Sequence, residues 1–317
     1  MAHKFREPAA ARNTQRRSTM IHRREFLKHA LLAGAALPAF GATAWTQTPQ
    51  TALASPRLAT ASIPKIDIHV HLGRDRREQF TPDQLRPNVS ATAKWLVEQM
   101  DQKNIEKSLL VPVDPIMPTE LYLQAAKEIP DRLLSACSVI PRSRNSLDQL
   151  RRWRDAGAHA LKLQPMQYDP RDPLVERLVY EAIKLKMPLL FHYTNLPSAF
   201  PPWLEHLATT FREANFVVIH FGGIYGFQRV LPLAHYLPNV WLETSTAFIQ
   251  VVNSPLRARL HFLLQGQQPR VRKLIFGSEH PRDYDAVLTA IDTLTETVSG
   301  EVREAIYRGN AARLLGL

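Results

Sequence analysis

The stretch Ile63–Gly73, IPKIDIHVHLG, sets two imidazoles, His69 and His71, on either side of Val70 in an otherwise apolar run. Strand side chains alternate with period two, so Ile66, Ile68 and Val70 are expected on one face and Asp67, His69 and His71 on the other. Both imidazoles would then point the same way. They could be polar residues ending a strand, or a pair of metal ligands on one rigid element. The stretch alone leaves both readings open.

Seven further runs have the same character: short, apolar and often β-branched, as in strands covered on both faces. They are EKSLLVPV, RLLSACSVI, AHALKLQ, MPLLFHY, NFVVIHF, NVWLETS and RKLIFGS. Amphipathic, helix-like stretches separate them, among them ATAKWLVEQMDQKN, PLVERLVYEAIKLK, PLRARLHFLLQG and, at the end, EVREAIYRGNAARLLGL. Eight βα units in about 250 residues predict a single-domain α/β fold, a (β/α)8 TIM barrel. A doubly wound sheet would open with a glycine-rich turn, and none follows the first run. The barrel is expected over residues 63–317, after a linker at 45–62.

The 317 residues are 45% hydrophobic and 22% charged, a composition typical of globular proteins. The formal charge of +11 is concentrated at one end, since residues 1–44 hold eight Lys/Arg against two Asp/Glu. No basic block with interleaved aromatics occurs beyond them, so no nucleic-acid partner is expected. The early stretch HRREFLKHALLAGAALPAFGATAW carries Arg23 and Arg24, then a weakly apolar run, then Ala42-Thr43-Ala44. It resembles a twin-arginine signal peptide over residues 1–44. That resemblance implies the Tat export machinery as a partner and a periplasmic or secreted destination. The run is too short for a spanning helix, so no stable membrane anchor is expected. The single cysteine, Cys137, rules out an intramolecular disulfide and sits in an apolar run where an inert thiol is expected.

The chemistry of a TIM barrel sits at the C-terminal ends of its strands. Those ends supply His69 and His71, then Lys162, His192, His220, Glu243 and Glu279 in chain order. Metal chemistry suits them: imidazoles and carboxylates are ligands of Zn²⁺, and such a site can leave room for a water of lowered pKa. Arg74, Tyr193, Asn195 and His280 follow site-bearing strands and are candidates for substrate binding. Asp283 is expected to cap the helix that begins at Tyr284. Gly222 and Gly223 are expected to let backbone pass close to a ligand.

IDIHVHLG, ALKLQP, HFGG, LETS, IFGSEHP and IYRGNAARLLGL, in this order from Ile63 to Leu317, resemble the amidohydrolase-2 branch of the amidohydrolase superfamily. The resemblance implies metal ligation by His69, His71 and His192, with Glu279 completing the site. It implies acid–base work by His220 and Glu279 beside one divalent ion, and a substrate-binding role for Lys162. The branch usually has Asp where this chain has Glu279, a carboxylate one methylene longer.

The activity implied is a metal-dependent hydrolase of a small carboxylic ester, lactone or amide, using metal-activated water. A nonoxidative decarboxylase of the same branch is the alternative, and a catalytically weakened binding protein a third reading. The sequence is also compatible with a homo-oligomer.

Overall fold

The structure, a computed structural model, describes residues 62–73, 82–163, 172–192, 200–264 and 270–317. The signal-like segment and most of the linker lie outside them, as do Arg74, Tyr193 and Asn195. No helix among the described residues is long and apolar enough to cross a membrane.

The eight expected runs all form strands: β1 (Lys65–Val70), β2 (Ile105–Leu110), β3 (Leu133–Ser138), β4 (Ala158–Leu163), β5 (Leu189–Phe191), β6 (Phe216–Val218), β7 (Val240–Glu243) and β8 (Leu274–Ile275). Each pairs in parallel with the next, in sequence order. The seam between β8 and β1 is closed by backbone bonds just past β8. Ile68 N donates to Phe276 O at 3.1 Å, His71 N to Glu279 O at 3.0 Å, and Ser278 N to His69 O at 3.2 Å. The protein is a single-domain (β/α)8 barrel.

The barrel's inside is marked by an apolar cluster to which every strand contributes, including Ile66, Leu109, Ala136, Ala160, Leu190, Val217, Trp241 and Ile275. Ala311 and Leu314 of the closing helix join it, so the chain's last turns seal one end of the barrel. The alternate strand residues face a larger outer cluster shared with the helices. These helices include α1 (Val89–Asp101), α2 (Thr119–Glu128), α3 (Ser146–Asp155), α4 (Pro173–Lys184), α5 (Phe200–Thr210), α6 (Phe227–Tyr236), α7 (Ala247–Val252) and α8 (Tyr284–Leu294). Each presents one apolar stripe to the sheet, for example Val175, Leu178, Val179 and Ala182 of α4.

Four local expectations are corrected. The segment expected as an amphipathic helix from Pro255 is a 3₁₀ helix, Pro255–Leu264. The closing helix forms as expected from Gly300 to Leu315, but it widens into a π-turn at Ala305–Gly309 and is not regular α throughout. Asp283 occupies the position before α8 but makes no side-chain cap bond to it, because a 3₁₀ turn, Pro281–Asp283, runs straight into the helix.

The fourth correction concerns β1 itself. Ile66 and Ile68 belong to the inner cluster, but Val70 and Leu72 belong to the outer one. The pairing of β1 with β2 shifts register between Asp67 and Val70. A bulge puts two residues where one would stand and re-aims the side chains that follow. Asp67 therefore does not share the histidines' face. Its carboxylate accepts from Ser278 Oγ at 2.5 Å and from the backbone N–H groups of Ser278 and His69 at 3.1 and 2.9 Å. Asp67 pins the seam of the barrel, while His69 and His71 turn into its mouth.

Candidate metal centre

The sequence-predicted residues converge at the C-terminal ends of the strands. The His69 ring lies 5.1 Å from His71 and 5.2 Å from His220, centroid to centroid. His192 stands 4.6 Å from His220, and His280 stands 5.3 Å from His71. Five imidazoles from four strand ends thus form one connected group. His69, His71, His220 and His280 are buried and His192 is half-buried.

The backbone that delivers them is unusual. His220, Phe221, Gly222 and Gly223 all have positive φ, from 55° to 84°. Thr246 and Glu279 also have positive φ, 46° and 69°. Non-glycine residues there cost on the order of 1 kcal/mol or more each, and such strain gathers at functional sites. A Cβ on Gly222 would fall 2.5 Å from Val230 Cγ2, so its freedom also serves the tight turn onto α6.

The ring nitrogens are disposed as metal ligands usually are, one held by the protein and the other left over. His71 Nδ1 donates to the carbonyl of Val111 at 2.6 Å, which leaves the lone pair on Nε2. His69 Nδ1 faces Glu243 Oε2 at 3.4 Å, and its buried Nε2 has no hydrogen-bond partner. His192 Nδ1 and Lys162 Nζ are likewise buried without hydrogen-bond partners. Burial, then the nearby Lys162 ammonium, holds His69 and His71 well below the usual imidazole range and His192 at about 3. Neutral, lone-pair-bearing rings are what a cation requires.

Among the described residues, His69, His220 and Glu243 offer ligand atoms within 4.8 Å of one another. Glu243 is the most committed of these. Its Oε2 accepts from His220 N and Ser245 Oγ, both at 2.8 Å, and its Oε1 accepts from Ser245 N at 2.6 Å. Burial lifts its carboxyl to about 8 against the pull of those bonds. Glu279 is more open. Its Oε2 accepts from Thr246 Oγ1 and lies 3.9 Å from His220 Nδ1. Lys162, on the inner face of β4, is wholly buried and lowered to about 7 by desolvation, opposed by Glu279 and Glu243. The donor set fits a divalent ion: three neutral imidazoles, unpartnered nitrogens and a reachable carboxylate.

Ser245 and Thr246 were given no role in the sequence, although Ser245 closes the LETS motif. Only its position after that motif, at the end of β7, could have drawn attention to Thr246. Cys137 is buried in β3 and its thiol is pushed up by burial, as expected of an inert core residue.

The amidohydrolase family profile named Amidohydro_2 matches residues 66–317, and the chain belongs to that family, a class of metal-dependent hydrolases and lyases. No curated protein matches the chain. Solved structures share the fold. A probable 2-pyrone-4,6-dicarboxylic acid hydrolase from Acinetobacter baumannii is 20% identical, with 80% of this chain and 99% of that one covered and a TM-score of 0.58. An uncharacterised TIM-barrel protein from Bordetella bronchiseptica is 18% identical over 80% and 98%, with a TM-score of 0.62. A 5-carboxyvanillate decarboxylase from Novosphingobium aromaticivorans, with manganese bound, is 12% identical over 81% and 98%, with a TM-score of 0.55.

Proposed function

We propose that the chain is an exported hydrolase of a small carboxylic ester, lactone or amide, working with one tightly held divalent ion, Zn²⁺ by the nature of its donors. The observation that carries this reading is the ring geometry: neutral imidazoles gathered at the barrel mouth, with His71 and His69 each turning Nδ1 to a protein oxygen and keeping Nε2 back. His69, His71 and His192 would hold the ion, with Glu279 as the carboxylate ligand. Bound there, the ion would polarise a carbonyl and lower the pKa of a water.

The chain's own residues supply the rest. His220, set between the His69 and His192 rings, takes and returns the proton. Glu279, held by Thr246, would ligate the ion or accept a proton for the leaving group. Lys162, buried without a hydrogen-bond partner, would attract an anionic substituent, which favours an ester or lactone carrying a further carboxylate. Arg74, Tyr193, Asn195 and His280 remain candidates for substrate contact. Export rests on Arg23 and Arg24, and replacing both by Lys should leave the unprocessed chain in the cytoplasm. Normal periplasmic accumulation of that variant would sink the export reading.

The activity is tested on the chain from Trp45 onward. Metal is quantified by mass spectrometry, and the reloaded protein is screened against ester, lactone, amide and aromatic-acid panels. Hydrolysis products support the reading. Carbon dioxide release in their place would make the protein a decarboxylase, and bound metal with no turnover would make it a binding protein.

A further inference from the structure

Ser245 Oγ stands between two groups at hydrogen-bond distance, His220 Nδ1 at 2.7 Å and Glu243 Oε2 at 2.8 Å. A hydroxyl has one proton to give. Both oxygens of Glu243 already face backbone N–H donors, Ser245 N on Oε1 and His220 N on Oε2, so this carboxyl is built to accept. With Glu243 ionised, an acceptor only, the hydroxyl proton goes to it. Ser245 Oγ then has only lone pairs to offer His220, and Nδ1 must carry the hydrogen between them. In a neutral imidazole that leaves the lone pair on Nε2.

We propose that Ser245 and Glu243 are positioning residues that hold His220 as its Nδ1–H tautomer and so present the Nε2 lone pair to the reaction. The same carboxylate faces Nδ1 of His69, so one buried acid orients two rings from different strands. Gly277 makes this possible, because a Cβ there would fall 2.3 Å from Glu243 Oε1. The left-handed turn at His220 serves the same end by aiming its backbone N–H at the carboxylate that steers its side chain.

In its consequence for turnover the proposal rests on the function proposed above; the tautomer does not, and the two fail separately. The test uses metal-free protein labelled with ¹⁵N-histidine, at an alkaline pH where the ring is neutral and Glu243 is ionised. The His220 signals are assigned by their loss in His220→Asn, a replacement that tolerates positive φ. Wild type should show a protonated Nδ1 and a bare Nε2. Ser245→Ala should move the ring toward the Nε2–H form, whereas Ser245→Thr, which keeps a hydroxyl, should not. With metal restored, Ser245→Ala should lower kcat roughly 10- to 100-fold with KM little changed, and Ser245→Thr should recover most of the loss. A protonated Nε2 in the wild type overturns the proposal, and that measurement needs no variant beyond the assignment. So does a Ser245→Ala protein that keeps both its tautomer and its kcat.

Discussion

Gly277→Ala tests whether the Glu243 carboxylate is held as rigidly as the site requires. The added Cβ would meet Glu243 Oε1 at 2.3 Å, Cγ at 2.6 Å and Cδ at 2.7 Å. Gly277 does not have positive φ, so the cost is contact and not backbone strain. Glu243 is wholly buried and cannot swing out to solvent. Reaching ordinary contact at 3.4 Å means withdrawing Oε1 by about 1 Å, which breaks the 2.6 Å bond from Ser245 N. Leaving the buried Ser245 N–H unsatisfied costs about 1–3 kcal/mol. Overpacking adds about 1–3 kcal/mol. The variant should therefore be destabilised by about 2–6 kcal/mol, read by urea unfolding of the metal-free protein at neutral pH. Adding Glu243→Asp, one methylene shorter, should recover part of the loss, because the two side chains compete for the same space. A single variant within about 0.5 kcal/mol of wild type, or two substitutions whose costs simply add, would refute the reasoning.

His69→Ala and His192→Ala should each strip most of the metal, measured as ions per chain, and full occupancy in both would show that the ligands are others. Lys162→Ala should leave one ion per chain while raising KM for an anionic substrate, since the ammonium is buried but offers no lone pair to a cation while protonated; two ions in the wild type falling to one would make it a ligand. Asp114, which accepts from Thr119 N and Oγ1, is raised to about 6 chiefly by burial, above its ordinary 3.8. The fold therefore binds its proton more tightly than the unfolded chain does, and this contribution, full below about pH 4, is lost as pH rises through 6. Asp114→Asn should lose that dependence and gain on wild type from pH 4 to pH 8; parallel stability curves would refute the assignment.

The barrel was legible because each strand had to bury both faces, and that demand leaves short β-branched runs such as NFVVIHF and KLIF. The strand ends were legible for a related reason. Lys162 shares the inner face of β4 with Ala160, and Glu243 that of β7 with Trp241, so the parity of neighbouring apolar residues betrays which polar ones point inward. Parity failed at Ser245 and Thr246, which lie beyond the last strand residue, where the chain leaves regular φ/ψ and alternation no longer applies.

Parity also misled at the stretch that defined the site. IDIHVH reads as perfect alternation, yet the alternation is broken between Asp67 and Val70, and the reason lies some 200 residues away. Ser278 and Glu279 approach β1 after β8 has ended, and they take the carbonyl of His69 and the carboxylate of Asp67 for their own donors. If Asp67 shared the inner face, its carboxylate would stand in the barrel interior below the imidazoles. The bulge sends that charge to the seam, where Ser278 donates two hydrogen bonds to it, and leaves Ile66 and Ile68 lining the barrel interior instead. A carboxylate of this kind, raised to about 7 mainly by burial, is tolerable only with such donors in place. The closure of the barrel and the aiming of its first two imidazoles are thus one structural event. No pattern within the eleven residues could have disclosed it, because the partners that cause it belong to the other end of the chain.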